Sequence, residues 1–298
     1  MSSASMSSSF EWKGVSEVET IKGSSTLFIV DKTKIVKGSG SSCGDEIAYE
    51  IALLLNVPTP ATEFYYLHVD DARKEVVDAL VATDEGMREM GVKSSSLVRL
   101  LRSPILTVME YIPPTPMVLG EWTHEMWAAL GRILVLDVVT RNWDRSPLLT
   151  DRTSGNLGNL LSTPTGLVAI DNGTYCLDME EHPEAATAYL ARVKGWLAEV
   201  ADRRVGDEMG RLIQWMETEL ACPMEPAALD AMMDGMEECV GQVGNVLTPD
   251  VVEALVARVE CRVRGMVDLM SFGIDSVGLY GFRNVDPLFL NAVIALFP

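Results

Sequence analysis

The first 112 residues carry short runs of apolar and β-branched residues that are separated by polar turns. Runs of about four to eight such residues, bounded by turn-forming residues, are typical of β-strands. The predicted strands are Thr26–Val30, Lys34–Lys37, Glu63–Val69 and Ile105–Ile112. Because only Asp31–Thr33 separates the first two, we predict that they form a hairpin.

One helical pattern interrupts these strands. After a glycine- and serine-rich loop, the apolar residues from Ile47 to Leu55 recur at the spacing of one face of an α-helix. Pro58 and Pro60 end this helix, because proline removes a backbone donor and clashes with the preceding turn. The charged segment Asp70–Val98 predicts further helix with loops.

A cluster of prolines at 113, 114 and 116 follows the last strand of the first part. Prolines stop regular structure, so we place a domain boundary after Ile112. Beyond it, Trp122–Thr140 predicts an amphipathic helix, and Asn142–Thr165 is rich in loop-forming residues. Two short strands, Leu160–Leu161 and Leu167–Ile170, are predicted on either side of a turn.

The last part of the chain, from about Pro183 to Pro298, predicts a series of helices. These are separated near Pro223, Gly241–Gly244 and Ser271–Gly281. Together the patterns predict an α+β fold with a strand-rich first part at 10–112 and a mainly helical second part at 113–298. The serine-rich segment 1–9 predicts a disordered tail.

Composition excludes several classes of partner. The chain has 298 residues, of which 48% are apolar, and this is enough to build a sizeable core. Acidic residues outnumber basic residues by 43 to 24, which gives a formal net charge of −19. Nucleic acids and anionic membranes attract the opposite sign of charge, so we expect neither as a partner.

Cysteine and histidine usage is typical of a protein from a reducing compartment. The five cysteines are scattered without a CxxC pair, and the three histidines are far apart without an HExxH motif. These patterns argue against a disulfide framework and a zinc site. The N-terminus also lacks the features of a signal or transit peptide, so we expect a cytoplasmic protein. We further expect a monomer.

Residue types that phosphoryl transfer requires occur in order along the chain. Lys37 lies on a predicted strand, from which an ammonium could reach nucleotide phosphates. The next helix offers Glu46 and Glu50, one turn apart, and either could hold that lysine in place. A strand lysine is usually a solvated residue, and two such glutamates are usually a wet helix face, so neither feature is specific alone.

Three further residues of this kind follow the long predicted helix. Asp144 lies in the loop after it, Asn159 precedes the first short strand, and Asp171 follows the second. A carboxylate that orients a hydroxyl, and an Asn and an Asp that hold Mg²⁺, are the parts that kinases use. Magnesium prefers hard oxygen ligands and takes several of them from phosphates and water. Asp and Asn in loops usually serve turns, so it is the joint order that indicates a phosphotransferase.

Four segments resemble the catalytic domain of actin-fragmin kinase, a family of atypical protein kinases related in architecture to phosphoinositide kinases. They are EIAYEIALLLNVPTP at Glu46–Pro60, LDVVTRNWDR at Leu136–Arg145, GNLL at Gly158–Leu161 and AIDNG at Ala169–Gly173. The resemblance covers roughly residues 10–175. It implies a two-lobed, protein-kinase-like fold with a strand-rich N-lobe and a mainly helical C-lobe, and an ATP- and Mg²⁺-dependent kinase that phosphorylates Ser or Thr on a protein.

The same resemblance implies a role for each candidate residue. Asp144 would be the catalytic aspartate, Asn159 and Asp171 would bind the metal, and Lys37, paired with Glu46, would bind the nucleotide phosphates. Glu46 is preferred to Glu50 because it opens the helix in the family pattern. The remaining nucleotide contacts would come from the backbone at Gly23, Ser24 and Ser25, and from a hinge at Glu110, Tyr111 and Ile112.

The chain departs from typical protein kinases in four ways, one of which is that no A-P-E element is visible. It has no GxGxxG motif, and Asn172 stands where a phenylalanine usually follows the metal-binding aspartate. Asp144 and Asn159 are 15 positions apart, against about five in typical protein kinases. This spacing predicts an inserted loop, for which Asp151–Gly155 is the candidate. None of these departures removes a chemical group that catalysis needs.

The segment after Asp171 bears on the choice of acceptor. Residues 172–191 contain four acidic residues and no Lys or Arg. A phosphoinositide headgroup would need basic residues here, whereas a protein hydroxyl beside basic residues suits an acidic rim. The acids are equally well explained as a solvated surface. The family resemblance suggests a threonine of actin, or an actin-binding complex, as the substrate.

Three alternatives stay open. The chain could be a pseudokinase that binds nucleotide as a scaffold, or a small-molecule phosphotransferase of the aminoglycoside type. A deep acidic pocket beside Asp144 would favour the small-molecule enzyme, and an open shelf would favour a protein substrate. In the third alternative the order of residues is accidental, the protein is a helical interaction module, and Lys37, Asp144 and Asp171 lie far apart.

Overall fold

The chain divides into two compact units. The computed structural model describes residues 12, 15–21, 27–39, 42–66, 72–82, 100, 103–113, 122–151, 154–164, 166–219, 223–270 and 285–298. The first unit comprises Met1–Ser42, Ala61–Tyr111 and Cys261–Gly281. The second unit comprises Cys43–Pro60, Ile112–Glu260 and Phe282–Pro298.

A five-stranded antiparallel sheet forms the centre of the first unit. Its strands are β1 (Val18–Ile21), β2 (Leu27–Val30), β3 (Lys34–Ser39), β4 (Thr62–Tyr66) and β5 (Ile105–Glu110). They are hydrogen-bonded in the order β1-β2-β3-β5-β4. The predicted hairpin is β2–β3, and its turn at Asp31 and Lys32 adopts positive φ angles of 48° and 53°. Helix α2 (Ala72–Ala82) follows β4.

The two faces of this sheet differ. Phe28, Val36 and Val108 belong to the apolar core of the unit. Because side chains alternate along a strand, Lys37 points to the opposite face. Its neighbours across the sheet are Leu27 on β2 and Thr107 on β5. Lys37 therefore lies in the middle strand of the sheet, on the face away from the core.

The second unit is mainly helical and contains one small hairpin. Its helices are α1 (Ser42–Leu54), α3 (His124–Thr140), α4 (Pro183–Ala201), α5 (Asp207–Glu219), α6 (Pro226–Val246), α7 (Pro249–Met270) and α8 (Pro287–Ile294). The chain passes from the second unit to the first within α7. The hairpin consists of β6 (Leu160–Thr163) and β7 (Gly166–Ala169), which pair with Leu160 opposite Ala169.

Helix α3 lies at the centre of the second unit. All its residues from Met126 to Thr140 except Arg132 are buried, as is typical of a helix that is covered on every side. It packs closely against α6 through two glycines. A Cβ atom on Gly131 would lie 2.1 Å from the Met232 carbonyl oxygen, and one on Gly235 would lie 1.9 Å from that of Ala128.

Most predicted elements are present, and a few are not as predicted. The combination of a strand-rich part and a helical part is confirmed, while the two-lobed kinase architecture stays a prediction. The predicted break at Gly241–Gly244 is wrong, since α6 runs through it, and Gly244 admits the Pro298 carbonyl oxygen where a Cβ would lie 2.4 Å away. The prediction that α3 is amphipathic, with one face exposed to solvent, is also wrong, because the helix is buried on nearly all sides. Strand β1 was not predicted.

None of the helices in the described residues is long and apolar enough to cross a membrane. The predicted break at Ser271–Gly281 and the serine-rich tail lie outside the residues that the structure describes.

Candidate active site

The loop that carries Asp144 begins at the C-terminus of α3. Arg141 ends the helix in the left-handed conformation, with φ 52°. The next residue, Asn142, is buried, and its side-chain oxygen accepts a hydrogen bond of 3.3 Å from the backbone N–H of Asp144. This short Asx-type turn fixes the direction in which the chain passes Asp144.

The long spacing between Asp144 and Asn159 is accommodated by a loop that closes on itself. The backbone N–H of Asn156 donates to the carbonyl oxygens of Asp144 at 2.9 Å and Arg145 at 3.1 Å. Gly155 permits this approach, because a Cβ atom there would lie 2.4 Å from the Arg145 carbonyl oxygen. The inserted loop thus begins and ends next to Asp144, so it does not separate Asp144 from Asn159.

Asp144 and Asn159 are in direct contact as a result. The Asn159 side-chain amide donates to Asp144 Oδ2 at 2.9 Å, and its Oδ1 accepts from the Asn156 amide at 3.0 Å. Asn159 is buried and Asp144 is partly buried. The two side chains therefore hold one another in a defined orientation.

Arg145 joins this pair to the rest of the site. Its guanidinium is 1% exposed and donates to the Asp137 carboxylate on α3. It also donates to the carbonyl oxygens of Asn159 at 3.3 Å and Ile170 at 2.9 Å, and to the side-chain oxygen of Asn172. One buried side chain thus connects α3, the Asp144 loop and both strands of the β6–β7 hairpin at its open end.

Asp137 is the buried counter-charge of Arg145. Burial raises the pKa of its carboxyl group to about 7, and the Arg145 guanidinium opposes that shift. The second carboxylate oxygen, Oδ2, is buried without a hydrogen-bond partner in the part of the chain that the structure describes. Each member of such a buried pair depends on the other, because an uncompensated charge in the interior is costly.

Asp171 lies at the same end of the hairpin as Asn159. The backbone N–H of Ile170 donates to the Asn159 carbonyl oxygen at 3.0 Å, so the residue before Asp171 is bonded to Asn159. Asp171 is exposed and adopts a φ of 50°. Asn172 is buried and donates to Thr59 Oγ1 at 3.1 Å. The structure therefore brings Asp144, Asn159 and Asp171 into one neighbourhood.

The donor set at this end of the hairpin fits Mg²⁺. Asn159 and Asp171 supply an amide oxygen and a carboxylate, which are the hard oxygen ligands that this ion prefers. Within the described residues, no group of three or more His, Cys, Asp or Glu side chains could hold a metal ion. A site with two protein ligands fits a metal that takes its other ligands from phosphates and water.

The two candidate glutamates on α1 have different surroundings. Glu50 forms an ion pair of 2.9 Å with Arg258 on α7. Glu46 is buried, with 3% of its surface exposed. The pairing of Lys37 with Glu46 stays a prediction.

Of the predicted hinge residues, Glu110 and Tyr111 belong to the first unit and Ile112 to the second. The backbone N–H of Glu110 donates to the Ala61 carbonyl oxygen at 2.9 Å. The backbone N–H of Tyr111 donates to the Thr33 carbonyl oxygen at 2.8 Å. A hinge here would therefore use backbone carbonyl oxygens or the N–H of Ile112. Gly23, Ser24 and Ser25 lie outside the residues that the structure describes.

Sequence reasoning missed Arg145 and Asp137 as members of the site. A signal for both was present, since Asp137 is the single charge in the apolar run Ile133–Val139. A charge in such a run is buried, and a buried charge needs a partner. Arg145 lies in the segment LDVVTRNWDR that resembles the family, but the resemblance implies no role for it.

Two comparisons with known proteins bear on identity. A segment of the chain is 41% identical over 90 residues to the dual specificity protein phosphatase PHS1 of Arabidopsis thaliana. That match covers 28% of this chain and 10% of that protein. The chain thus spans about a tenth of the length of this relative, whose name carries no activity over to it.

A model of the actin-fragmin kinase catalytic domain matches residues 1–203. This range contains every candidate site residue described above and confirms the resemblance seen in the four sequence segments. Because the match covers more than half of the 298 residues, the chain belongs to the actin-fragmin kinase catalytic domain family.

Proposed function

We propose that this protein is an ATP- and Mg²⁺-dependent kinase that phosphorylates a Ser or Thr hydroxyl on a protein, with the two-lobed architecture of protein kinases. Membership in a family of kinase catalytic domains supports a phosphotransferase that uses ATP. The observation that carries the proposal is the contact between Asp144 and Asn159, with Asp171 at the same end of the hairpin.

Asp144 is the residue that we assign to the acceptor hydroxyl. Its Oδ2 accepts the hydrogen bond from Asn159, which fixes the plane of the carboxylate. Because both oxygens lie in that plane, the position of Oδ1 is also fixed, and Oδ1 can accept the proton of the acceptor hydroxyl. Holding the hydroxyl in line with the γ-phosphate supplies much of the rate acceleration in such enzymes.

Asn159 and Asp171 are the residues that would hold Mg²⁺. When bound, the ion neutralises charge on the phosphates of ATP. The chain's own contribution is to keep the two oxygen donors in place before the ligand arrives. The Arg145 hydrogen bonds to the carbonyl oxygens of Asn159, before β6, and Ile170, after β7, do this at the open end of the hairpin. Such preorganisation avoids the cost of arranging the donors during the reaction.

Lys37 and Glu46 are assigned to the triphosphate. Lys37 extends from the middle strand of the sheet on the face away from the apolar core. An ammonium at this position would contact phosphate oxygens, and the buried Glu46 would orient it. The adenine would lie against the apolar side chains of that face, near the hinge at Glu110–Ile112. The backbone at Gly23–Ser25 would cover the phosphates.

A protein is the acceptor that the chemistry favours. The overall charge of −19 disfavours anionic acceptors such as phosphoinositides and nucleic acids. Of the acids in residues 172–191, Asp178 accepts hydrogen bonds from the N–H groups of Glu180 and Glu181, both at 2.8 Å, and so serves a turn. The three glutamates are exposed. Actin, or a complex that contains it, is the first substrate to test.

The direct test is transfer of labelled γ-phosphate from ATP to protein hydroxyls. The wild-type chain should label an acceptor in the presence of Mg²⁺, and Asp144→Ala should lose at least about 10²-fold in rate. Asp230→Ala is the matched control, since Asp230 is exposed on α6 and lies beside Arg203. Nucleotide binding without any transfer would instead indicate a pseudokinase.

A further inference from the structure

A cavity of about 510 Å³ lies beside the Asp144 loop in the second unit. Its walls come from the loop itself, from Leu177 and from one face of α4. The larger and charged side chains that line it are those of Arg141, Trp143, Leu149, Asp151, Tyr189 and Arg192. Its volume is within the range of about 300–1,000 Å³ that is typical of ligand sites. We call it the Arg141 cavity.

Residues that line the Arg141 cavity are close in sequence to the proposed catalytic Asp144. Trp143 precedes Asp144 directly, and its ring packs against that of Tyr175, with centroids 4.8 Å apart. Tyr175 follows Asp171 by four positions, and its backbone N–H donates to the Thr140 carbonyl oxygen at 3.0 Å. A substrate whose hydroxyl meets Asp144 would therefore place neighbouring residues at this cavity, since an extended peptide advances about 3.3 Å per residue.

The two arginines of the cavity differ in their partners. Arg192 is neutralised by Glu208 at 2.8 Å and Asp151 at 2.9 Å. Arg141 donates to the Tyr175 carbonyl oxygen at 2.9 Å and lies 5.6 Å from the ring centroid of Tyr189. It forms no ion pair with a carboxylate among the residues that the structure describes. The Arg141 cavity therefore contains one cation without a counter-charge.

Arg141 also carries an incomplete set of hydrogen bonds. Its Nε atom is buried and has no acceptor in the described part of the chain. Burial lowers the pKa of this guanidinium, which reflects the cost of holding the charge away from water. A partly desolvated cation of this kind gains more from an incoming anion than a solvated one does.

We propose that the Arg141 cavity is an acceptor subsite that binds the side chain of a Glu or Asp located within a few residues of the phosphorylated hydroxyl. The inference rests on the proposed kinase function and adds a substrate class to it. The carboxylate of the substrate side chain would neutralise the charge of Arg141. The side chains of Trp143, Leu149 and Leu177 would contact the methylene groups of that substrate side chain. Asp151 also lines the cavity, and its carboxylate is paired with Arg192 at 2.9 Å. The four acids of residues 172–191 are not among the lining residues.

The test compares peptides that differ only in charge at one position. A library of Ser and Thr peptides carries Glu or its neutral isostere Gln at each position around the acceptor. We expect one position at which Glu lowers KM at least about tenfold relative to Gln, which equals about 1.4 kcal/mol. In Arg141→Gln the ratio of the two peptides should fall to about one. Arg141→Glu should prefer Lys at that position, a reversal that a purely structural role would not produce.

Two further variants separate selectivity from folding. Arg204→Gln removes an exposed arginine that lies beside Asp202 and should keep the Glu-to-Gln ratio of the wild type. Ala188→Trp fills the cavity from an exposed position on α4 and leaves Arg141 in place. It should also abolish the ratio. Thermal melting of each variant establishes that it is folded.

The outcomes are distinguishable. Phosphorylation without a preference for Glu, or a preference that Arg141→Gln leaves unchanged, would overturn the subsite and leave the kinase function standing. A failure to phosphorylate any peptide, together with no melting shift on addition of ATP and Mg²⁺, would overturn the kinase function and the subsite with it.

Discussion

Arg141 and Arg145 lie four positions apart and have opposite surroundings. Arg145 is buried, faces the Asp137 carboxylate and donates to three further acceptors. Arg141 is partly buried, donates to one carbonyl oxygen and has no carboxylate partner among the described residues. A guanidinium with five donors that are largely satisfied inside the protein holds structure together, whereas one with donors to spare is suited to a ligand.

The different surroundings of Arg141 and Arg145 indicate different roles for the two regions. The Arg145 network joins α3 to the residues proposed to bind metal and acceptor, and so it determines whether the site exists. The Arg141 cavity is the proposed acceptor subsite, and it should affect which substrate is used. Changes in the first region should alter stability and rate for every substrate, and changes in the second should alter selection among substrates.

The largest effect is expected from Arg145→Met. The change leaves the Asp137 carboxylate buried without its counter-charge, and breaking such a pair costs about 3–5 kcal/mol. Denaturant unfolding should show this loss. Arg132→Met is the control, because Arg132 pairs with the exposed Glu238 on α6 and should cost about 1 kcal/mol or less.

A double variant sharpens the same point. Asp137→Leu combined with Arg145→Met removes both charges and should recover much of the stability that Arg145→Met loses. It should not recover activity, because the bonds to Asn159 and Ile170 are still absent. Recovery of both would show that Arg145 has no positioning role.

Much of this architecture could be predicted from the sequence, and the reasons for the failures are physical. The strands β2 to β5 and the helix α1 follow local patterns. The glycines at 241 and 244 looked like a helix end, yet tertiary packing keeps α6 intact through them. Helix propensity differences of about 1 kcal/mol per glycine are small beside such packing.

The candidate site also has a part that the sequence predicts and a part that depends on the fold. Asp144, Asn159 and Asp171 could be proposed from their types and order. The contact between Asp144 and Asn159 could not, since it depends on how the intervening loop closes through Asn156 and Gly155. The Arg141 cavity was beyond prediction, because its walls come from segments that are far apart in sequence.

Loosening the Asp144 carboxylate should have the next largest effect. Asn159→Ala removes the hydrogen bond to Asp144 Oδ2 and one proposed metal ligand. We expect kcat to fall by about 10²-fold or more, because misplaced catalytic groups carry penalties of that size. The control is Asn245→Ala, because Asn245 is exposed on α6 and its side-chain amide donates to the Gly241 carbonyl oxygen at 2.7 Å. Equal kcat values for the two variants would contradict the assignment of Asn159.

A smaller effect separates the two glutamates of α1. Glu46→Gln should lower kcat about tenfold, or about 1.4 kcal/mol, because Lys37 would lose its orienting partner. Glu50→Gln removes only a partly exposed pair with Arg258, which is worth about 1 kcal/mol or less in stability. Steady-state kinetics at saturating ATP test this, and the opposite order of effects would assign the pairing to Glu50.

The smallest change in stability is expected from Arg141→Met. The variant loses one hydrogen bond, to the Tyr175 carbonyl oxygen, which is worth about 1 kcal/mol. Its denaturation midpoint should therefore stay close to that of the wild type and well above that of Arg145→Met. A loss as large as that of Arg145→Met would remove the distinction between the two regions.

The most direct test of the central claim is a thermal-melt titration with ATP, with and without Mg²⁺, on the wild type and on Asp171→Ala. Ligand at 100 times its Kd should stabilise the fold by about 2.7 kcal/mol. For a chain of this size that corresponds to a rise in Tm of several degrees, at about 2–4 °C per kcal/mol. The account predicts a Mg²⁺-dependent rise in the wild type that Asp171→Ala abolishes. No rise at millimolar ATP, or the same rise in both proteins, would contradict it.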